Sequence, residues 1–344
     1  YRLTDRVFMS MVIGNPDTYT TDRFLHTLRQ IPDDKLAECP MAAFGLALAY
    51  ASNPVLREHT GPIATIVVES AGEFEYTGTE VDAIATSSLR AIALRLASRH
   101  RESSEACVAT WQMINDLDPD LVSQYSQVIG VVLRQMSMSL FFGGRIDEAR
   151  QVIEKSVSLC SPETRDYSIV YLRCYAALSG DEKRSAVLAR LVNEDAWPSG
   201  HRLSSLEAPA VVADSCALLD NFDFLGALDR LRDAEQYMPT SDLWPLLANI
   251  SVMARFGRGT GVAEARRIAE QIFAEVPHLG VGDNIATERL RGSLAITFAA
   301  AAEYSESERM LEGLSENSVF IGFARILRFL KVDKDEQAFR EVQR

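Results

Sequence analysis

The sequence predicts an all-α fold made of helical hairpins stacked one upon the next, and three observations predict it. Apolar residues recur with the 3.6-residue period in every long segment. Nineteen Gly and twelve Pro are too few for a turn-rich all-β chain of 344 residues. The same helix-turn-helix plan also returns several times along the chain, and self-similarity of that kind marks a repeat architecture.

The elements follow in chain order. In the run Phe24 to Pro40, Ile31-Pro32 ends one helix and Pro40 opens the next, because proline suits a first helical turn and no interior one. Ala91 to Pro119 forms a hairpin whose second helix is anchored by the small residue Ala106. Val131 to Pro162 is the most regular unit: an apolar run, a Gly143-Gly144 turn, then Arg145-Ile146-Asp147-Glu148-Ala149 opening a second helix. Tyr167 to Val192 (anchor Ser185) follows. Ala210 to Pro239 comes next, turning at Asn221-Phe222-Asp223 with Ala227 and Ala234 one heptad apart. Trp244 to Pro277 (Ala265), Leu290 to Leu314 (Glu308) and Phe320 to the end (Ala338) complete the series. With the helices before residue 60, about eight hairpins are expected.

Successive anchors lie 43, 36, 42, 38, 43 and 30 residues apart, a variable-length pattern. Each hairpin has an apolar stripe that it cannot bury alone, so the units are expected to stack into a right-handed superhelix with a concave face. Ala71 to Thr79, Trp197 to Ser205 and Leu279 to Asn284 read as loops, and 197–205 is where such an array would bend. No domain boundary is drawn within 1–344.

The hairpins resemble tetratricopeptide units. That resemblance implies a small side chain midway along the first helix and two in the second. Ser137, Ala149 and Ser156 hold those places in one hairpin, and Ser215, Ala227 and Ala234 hold them in another. Small residues let helix axes approach to about 8 Å rather than 10 Å.

A formal charge of -13, with no Lys/Arg run longer than two, speaks against direct nucleic-acid binding by this segment. The apolar run from Val128 to Phe142 is broken by Arg134 and Gln135, short of the roughly 18 apolar residues of a membrane span. Five scattered cysteines (Cys39, Cys107, Cys160, Cys174, Cys216) without a C-x-x-C pair fit a reducing cytoplasm. The chain opens at Tyr1 with no export signal, which suggests a segment of a longer polypeptide.

The sequence contains no phosphate loop of the G-x-x-x-x-G-K-[ST] kind and no G-x-S-x-G elbow. Gly257-Arg258-Gly259-Thr260-Gly261 follows a helix rather than a strand and reads as a turn between paired helices. His26, His59, His100, His201 and His278 have no ligand spacing for a metal. Glu73 and Glu75 read as solvated loop carboxylates. No enzyme activity, cofactor or metal is expected.

The passage Leu28-Arg29-Gln30-Ile31-Pro32-Asp33-Asp34-Lys35-Leu36-Ala37-Glu38-Cys39-Pro40 resembles the Leu-x-x-Leu-Pro-x-x-x-Leu-x-x-x-Pro run in the helical repeat region of large LuxR/MalT-type transcriptional regulators, with Ile31 in place of the usual Leu. Gly144 to Ala149 fits the same hairpin style. The resemblance implies a regulatory segment between a nucleotide-binding module and a helix-turn-helix, one that senses an effector or partner. Tetratricopeptide geometry would line the concave groove with Val131, Arg134, Met138 and Phe141, then Tyr167, Val170 and Cys174, then Val212, Cys216 and Leu219, then Trp244 and Leu247. The groove candidates singled out are Arg134, Met138, Phe141, Tyr167, Cys174, Cys216 and Trp244. An apolar groove with one Arg suits a small amphiphilic effector or an amphipathic helix. The alternative for these residues is packing against the next turn of the array, and the alternative function is a free-standing scaffold that docks a protein.

Overall fold

Where helices begin follows from local capping chemistry in the sequence. Thr79 precedes α4 (Glu80–Leu96), and its hydroxyl accepts from the Asp82 N–H at 3.3 Å while the Asp82 carboxylate accepts from the Thr79 N–H at 2.9 Å, a complete capping box. Asp118 caps α6 (Pro119–Gln124), which has proline in its first turn. Asn284 caps α15 (Ile285–Ala300) by accepting from Ala286 N at 2.8 Å.

The computed structural model describes residues 26–51, 56–73, 79–192, 206–232, 234, 242–274, 284–314, 318–331 and 337. Among them every element is helical and no strand occurs. Before α4 come α1 (Asp33–Ala37), α2 (Pro40–Ala51), a 3-10 turn (Arg57–His59) and α3 (Thr60–Glu73). After it come α5 (His100–Asn115), α6, α7 (Ser126–Phe142), α8 (Ile146–Leu159), α9 (Pro162–Leu178) and α10 (Glu182–Ala189). The rest are α11 (Glu207–Asp220), α12 (Phe224–Arg232), α13 (Trp244–Gly257), α14 (Gly261–Ala274), α15, α16 (Tyr304–Leu311) and α17 (Val319–Lys331).

Six helix-to-helix connections close in the same way. Ser98, Gly144, Gly180, Phe222, Gly259 and Ala302 each take a left-handed φ between 59° and 82°. The next residue then donates its N–H to the carbonyl five positions back: Arg99 to Leu94, Arg145 to Leu140, Asp181 to Ala176, Asp223 to Leu218, Thr260 to Arg255 and Glu303 to Phe298, all at 2.8 to 2.9 Å. This is the Schellman closure, which satisfies carbonyls that the helix end would leave bare. Glycine enters the left-handed region without steric cost, and three connections have it there.

The five-residue step after the left-handed residue lands on a buried small side chain in five of the six: Ser103, Ala149, Ser185, Ala227 and Ser307. Two of these serines donate to a carbonyl twelve residues earlier on the opening helix, Ser103 to Ala91 O at 2.6 Å and Ser307 to Ala295 O at 2.9 Å. The anchors expected at Ala106 and Glu308 are therefore corrected to Ser103 and Ser307; Ala106 is half-buried and Glu308 exposed. Spacing alone misled there, because serine fills the close contact and makes a hydrogen bond as well. Ala149, Ala227 and Ala265 are fully buried as expected. In the α13–α14 connection Glu264 takes the equivalent place, and Ala265 is next to it.

Other expectations shift slightly. Ala71 to Glu73 continue α3 instead of starting a loop. The region after Pro32 is itself a short helix, α1, before α2 opens at Pro40. The expected bend at 197–205, most of the 279–284 loop, the anchor Ala338 and Glu75 lie outside the described residues.

The chain divides into two compact units, Tyr1–Tyr175 with Leu188–Trp197, and Ala176–Val187 with Pro198–Arg344. In the first, α2 packs on α3, α3 on α4, α4 on α5, α5 on α7 and α7 on α8, with α2–α4 and α4–α7 as next-but-one contacts. Leu36, Phe44, Leu46, Ile63, Val67, Leu89 and Ile92 fill one core of that unit. In the second, the same scheme joins α11 to α12, α13 to α14 and α15 to α16, with α11–α13, α13–α15 and α15–α17 as next-but-one pairs. Trp244, Val252, Ile268, Leu290, Leu294, Phe298 and Met310 form its core. No described helix is long and apolar enough to cross a membrane.

Candidate ligand-binding face

The opening helices α7 and α9 carry most of the candidate side chains. A helical residue reaches its neighbours three and four positions away, so Arg134, Met138 and Phe141 share one face of α7. Opposite them α9 presents Tyr167 over Arg134 and Tyr175 against Phe141.

Phe141 stacks on Tyr175, with ring centroids 4.8 Å apart and planes within 13°. The Tyr175 hydroxyl lies 3.4 Å from Ser137 Oγ, and burial holds this phenol well above its ordinary pKa. Further along the same pair of helices, Ser156 of α8 donates to Gly130 O at 2.6 Å and meets Ser168 Oγ at 2.8 Å. A side chain at Gly130 would place its Cβ 2.8 Å from Cys160 Sγ, so glycine is what lets α7 approach here.

Arg134 is only 6% exposed. Its guanidinium lies over the Tyr167 ring, 4.9 Å from the centroid, and its Nη1 is enclosed without a hydrogen-bond acceptor. The adjacent Gln135 is used differently: its Oε1 accepts from Arg95 Nη2 at 2.8 Å, tying α4 to α7.

The seven candidates thus separate. Arg134 and Tyr167 meet directly, and Tyr167 remains half-buried. Met138 and Phe141 on α7 and Cys174 on α9 are buried at 7%, 1% and 0% exposure, inside the helix packing where a groove lining was expected; the Tyr175 ring of α9 covers Phe141. Cys216 and Trp244 belong to the second unit. Trp244 is part of that unit's core. Burial, with Asp220 adding to it, pushes the Cys216 thiol up to about 12, and burial does the same at Cys107. The Arg95–Gln135 bond was not anticipated from sequence; its only signal was a second polar residue beside Arg134 in an apolar run.

The second unit has a cleft of about 300 Å³ between α16 and α17, lined by Tyr304, Glu308, Leu311, Ile321, Arg325 and Arg328. There the cation is compensated: Arg328 lies over Tyr304 and pairs with Glu308. Among the described residues no group of three His, Cys, Asp or Glu converges as metal ligands. No protein-family model matches the chain, and a search of curated proteins finds no significant match.

Proposed function

We propose that the chain is a binding module: a tetratricopeptide-like array of hairpins, wound into a right-handed superhelix, that serves as the sensor segment of a LuxR-family transcriptional regulator. The observation that carries the repeat reading is the sixfold return of one Schellman connection, five times followed by a buried Ser or Ala at the same step. Hairpins that pack only on sequence neighbours each leave a face for the next, and arrays of that kind offer extended surfaces for ligands or partners. The assignment to a transcriptional regulator rests on the Leu28 to Pro40 passage. DNA contact would belong to other parts of such a protein, since the net charge of -13 repels phosphate.

The coding frame on either side of these residues decides between sensor and free-standing scaffold. A helix-turn-helix after Arg344 supports the sensor, and a stop codon there supports the scaffold. Small-angle X-ray scattering tests the superhelix: a profile fitting a sphere would overturn it. A mobility-shift assay at physiological salt tests the division of labour, with no shift expected from this segment alone.

A further inference from the structure

We propose that Arg134 is the receptor for the anionic head of the ligand, and that the ligand is a small amphiphile with a single carboxylate. The inference rests on the reading of this chain as a binding module and names the chemistry of what is bound.

The argument starts from an imbalance of charge. An arginine side chain stays protonated at any physiological pH and carries five N–H donors in one plane. Burying such a cation is unfavourable unless acceptors replace water. Four other arginines have at least one: Arg95 has Gln135, Arg230 has Asp214 at 2.9 Å, Arg289 has Leu178 O at 3.1 Å, and Arg291 has Met310 O at 3.0 Å. Arg134 is 94% buried and has no hydrogen-bond acceptor among the described residues; its partner is the π face of Tyr167.

That partner settles the geometry. A ring under the guanidinium engages its plane and leaves the N–H edge unused, and the edge is what grips a carboxylate through two parallel hydrogen bonds. Of the three nitrogens only Nη1 is fully enclosed without a partner, so the Nε–Nη2 side is the open edge. A single guanidinium edge offers two parallel N–H donors, the number that one carboxylate takes. Half-buried Val131, one turn back on α7, is the apolar neighbour for the ligand's remaining part, whereas Met138 belongs to the helix packing.

A purely structural role explains less. Holding α7 against α9 needs apolar contact, which a methionine would supply without desolvating a charge. Hence Arg134→Met should melt higher than the natural protein when no ligand is present.

Octanoate is the probe, with octanol, octylamine and inorganic phosphate alongside it, each followed by thermal melting and by the Arg134 guanidinium ¹⁵N resonances of the whole chain. Octanoate should raise the melting temperature and shift the Arg134 Nε resonance. Its affinity should fall at least tenfold in Arg134→Met, with Arg134→Lys in between because it keeps the charge but loses the fork. If Arg134→Met does not fold, the resonance shift in the natural protein still decides. Equal binding of octanol and octanoate overturns the anion assignment while leaving a binding face in place. Tighter binding of phosphate than of octanoate overturns the monoanion assignment. Failure of every probe to bind overturns the inference at Arg134, and the coding frame then judges the broader reading separately.

Discussion

The α7–α8 hairpin of the first unit and the α15–α16 hairpin of the second are built on one backbone plan and differ in the chemistry of their opening helices. Both turn through a left-handed residue, Gly144 or Ala302, and both close on a buried small residue, Ala149 or Ser307. On α15 the arginines are spent on backbone: Arg289 donates to Leu178 O, and half-buried Arg291 donates to Met310 O and Glu312 O at the C-terminal end of α16. A cation at that end also meets the negative pole of the helix dipole. On α7 the buried cation is Arg134, at the place that Gly292 takes on α15, and it rests on a tyrosine ring and caps nothing. The plan of the connection is therefore shared, while the use made of the helix face is local.

The largest expected effect tests whether the α7 face is core. Phe141→Ala removes a 1% exposed ring stacked on Tyr175 and should cost about 3–5 kcal/mol in a urea melt. A change below about 1 kcal/mol would return Phe141 to an open lining.

Ala149→Leu inserts three heavy atoms into a fully buried contact and should cost about 1–3 kcal/mol. Hydrogen exchange should rise in α7 and α8 and stay unchanged in α15 and α16, since stability in stacked hairpins is summed over neighbours. Uniform loosening would mean one cooperative unit instead. At the matching place in the other hairpin, Ser307→Ala keeps the size and deletes only the bond to Ala295 O, for about 1 kcal/mol.

The turns should respond with opposite sign. Gly144→Ala forces a Cβ into the left-handed region and should destabilise by about 1 kcal/mol, whereas Ala302→Gly relieves that strain and should be neutral or stabilising. Identical responses would show that the two closures differ.

The smallest effect concerns Glu264, at the place that other hairpins fill with Ser or Ala. Its carboxylate accepts from Arg267 at 2.9 Å and from Ser251 Oγ at 3.1 Å, and the Arg267 bond is the main reason its pKa is lowered. A depressed folded pKa contributes stability above the unfolded value of about 4.3, and that contribution is lost as pH falls through the folded value. Glu264→Gln should thus destabilise by about 1 kcal/mol or less at pH 7, and the difference from the natural protein should vanish toward pH 3. A difference that persists there would assign the effect to packing.

What the sequence determined by itself was the all-helical character and the positions of the clearest hairpins. Both are short-range properties: a 3.6-residue period, Pro40 and Pro119 at first turns, and Gly144 followed by the acidic first turn of α8. Register held at Ala149, Ser185 and Ala227, and in the α13–α14 connection it slipped by one, from Ala265 to Glu264. It slipped by three residues at Ser103 and by one at Ser307, where serine serves the same packing and gains a hydrogen bond that spacing alone does not reveal. The fate of the α7 face was decided only by tertiary structure. Periodicity shows that Arg134, Met138 and Phe141 share a side of a helix, but whether that side faces a ligand or α9 depends on how the next hairpin lands. That depends on close approach at Gly130, Ser156 and Ser168, residues far apart in sequence whose small size matters only once three helices have come together.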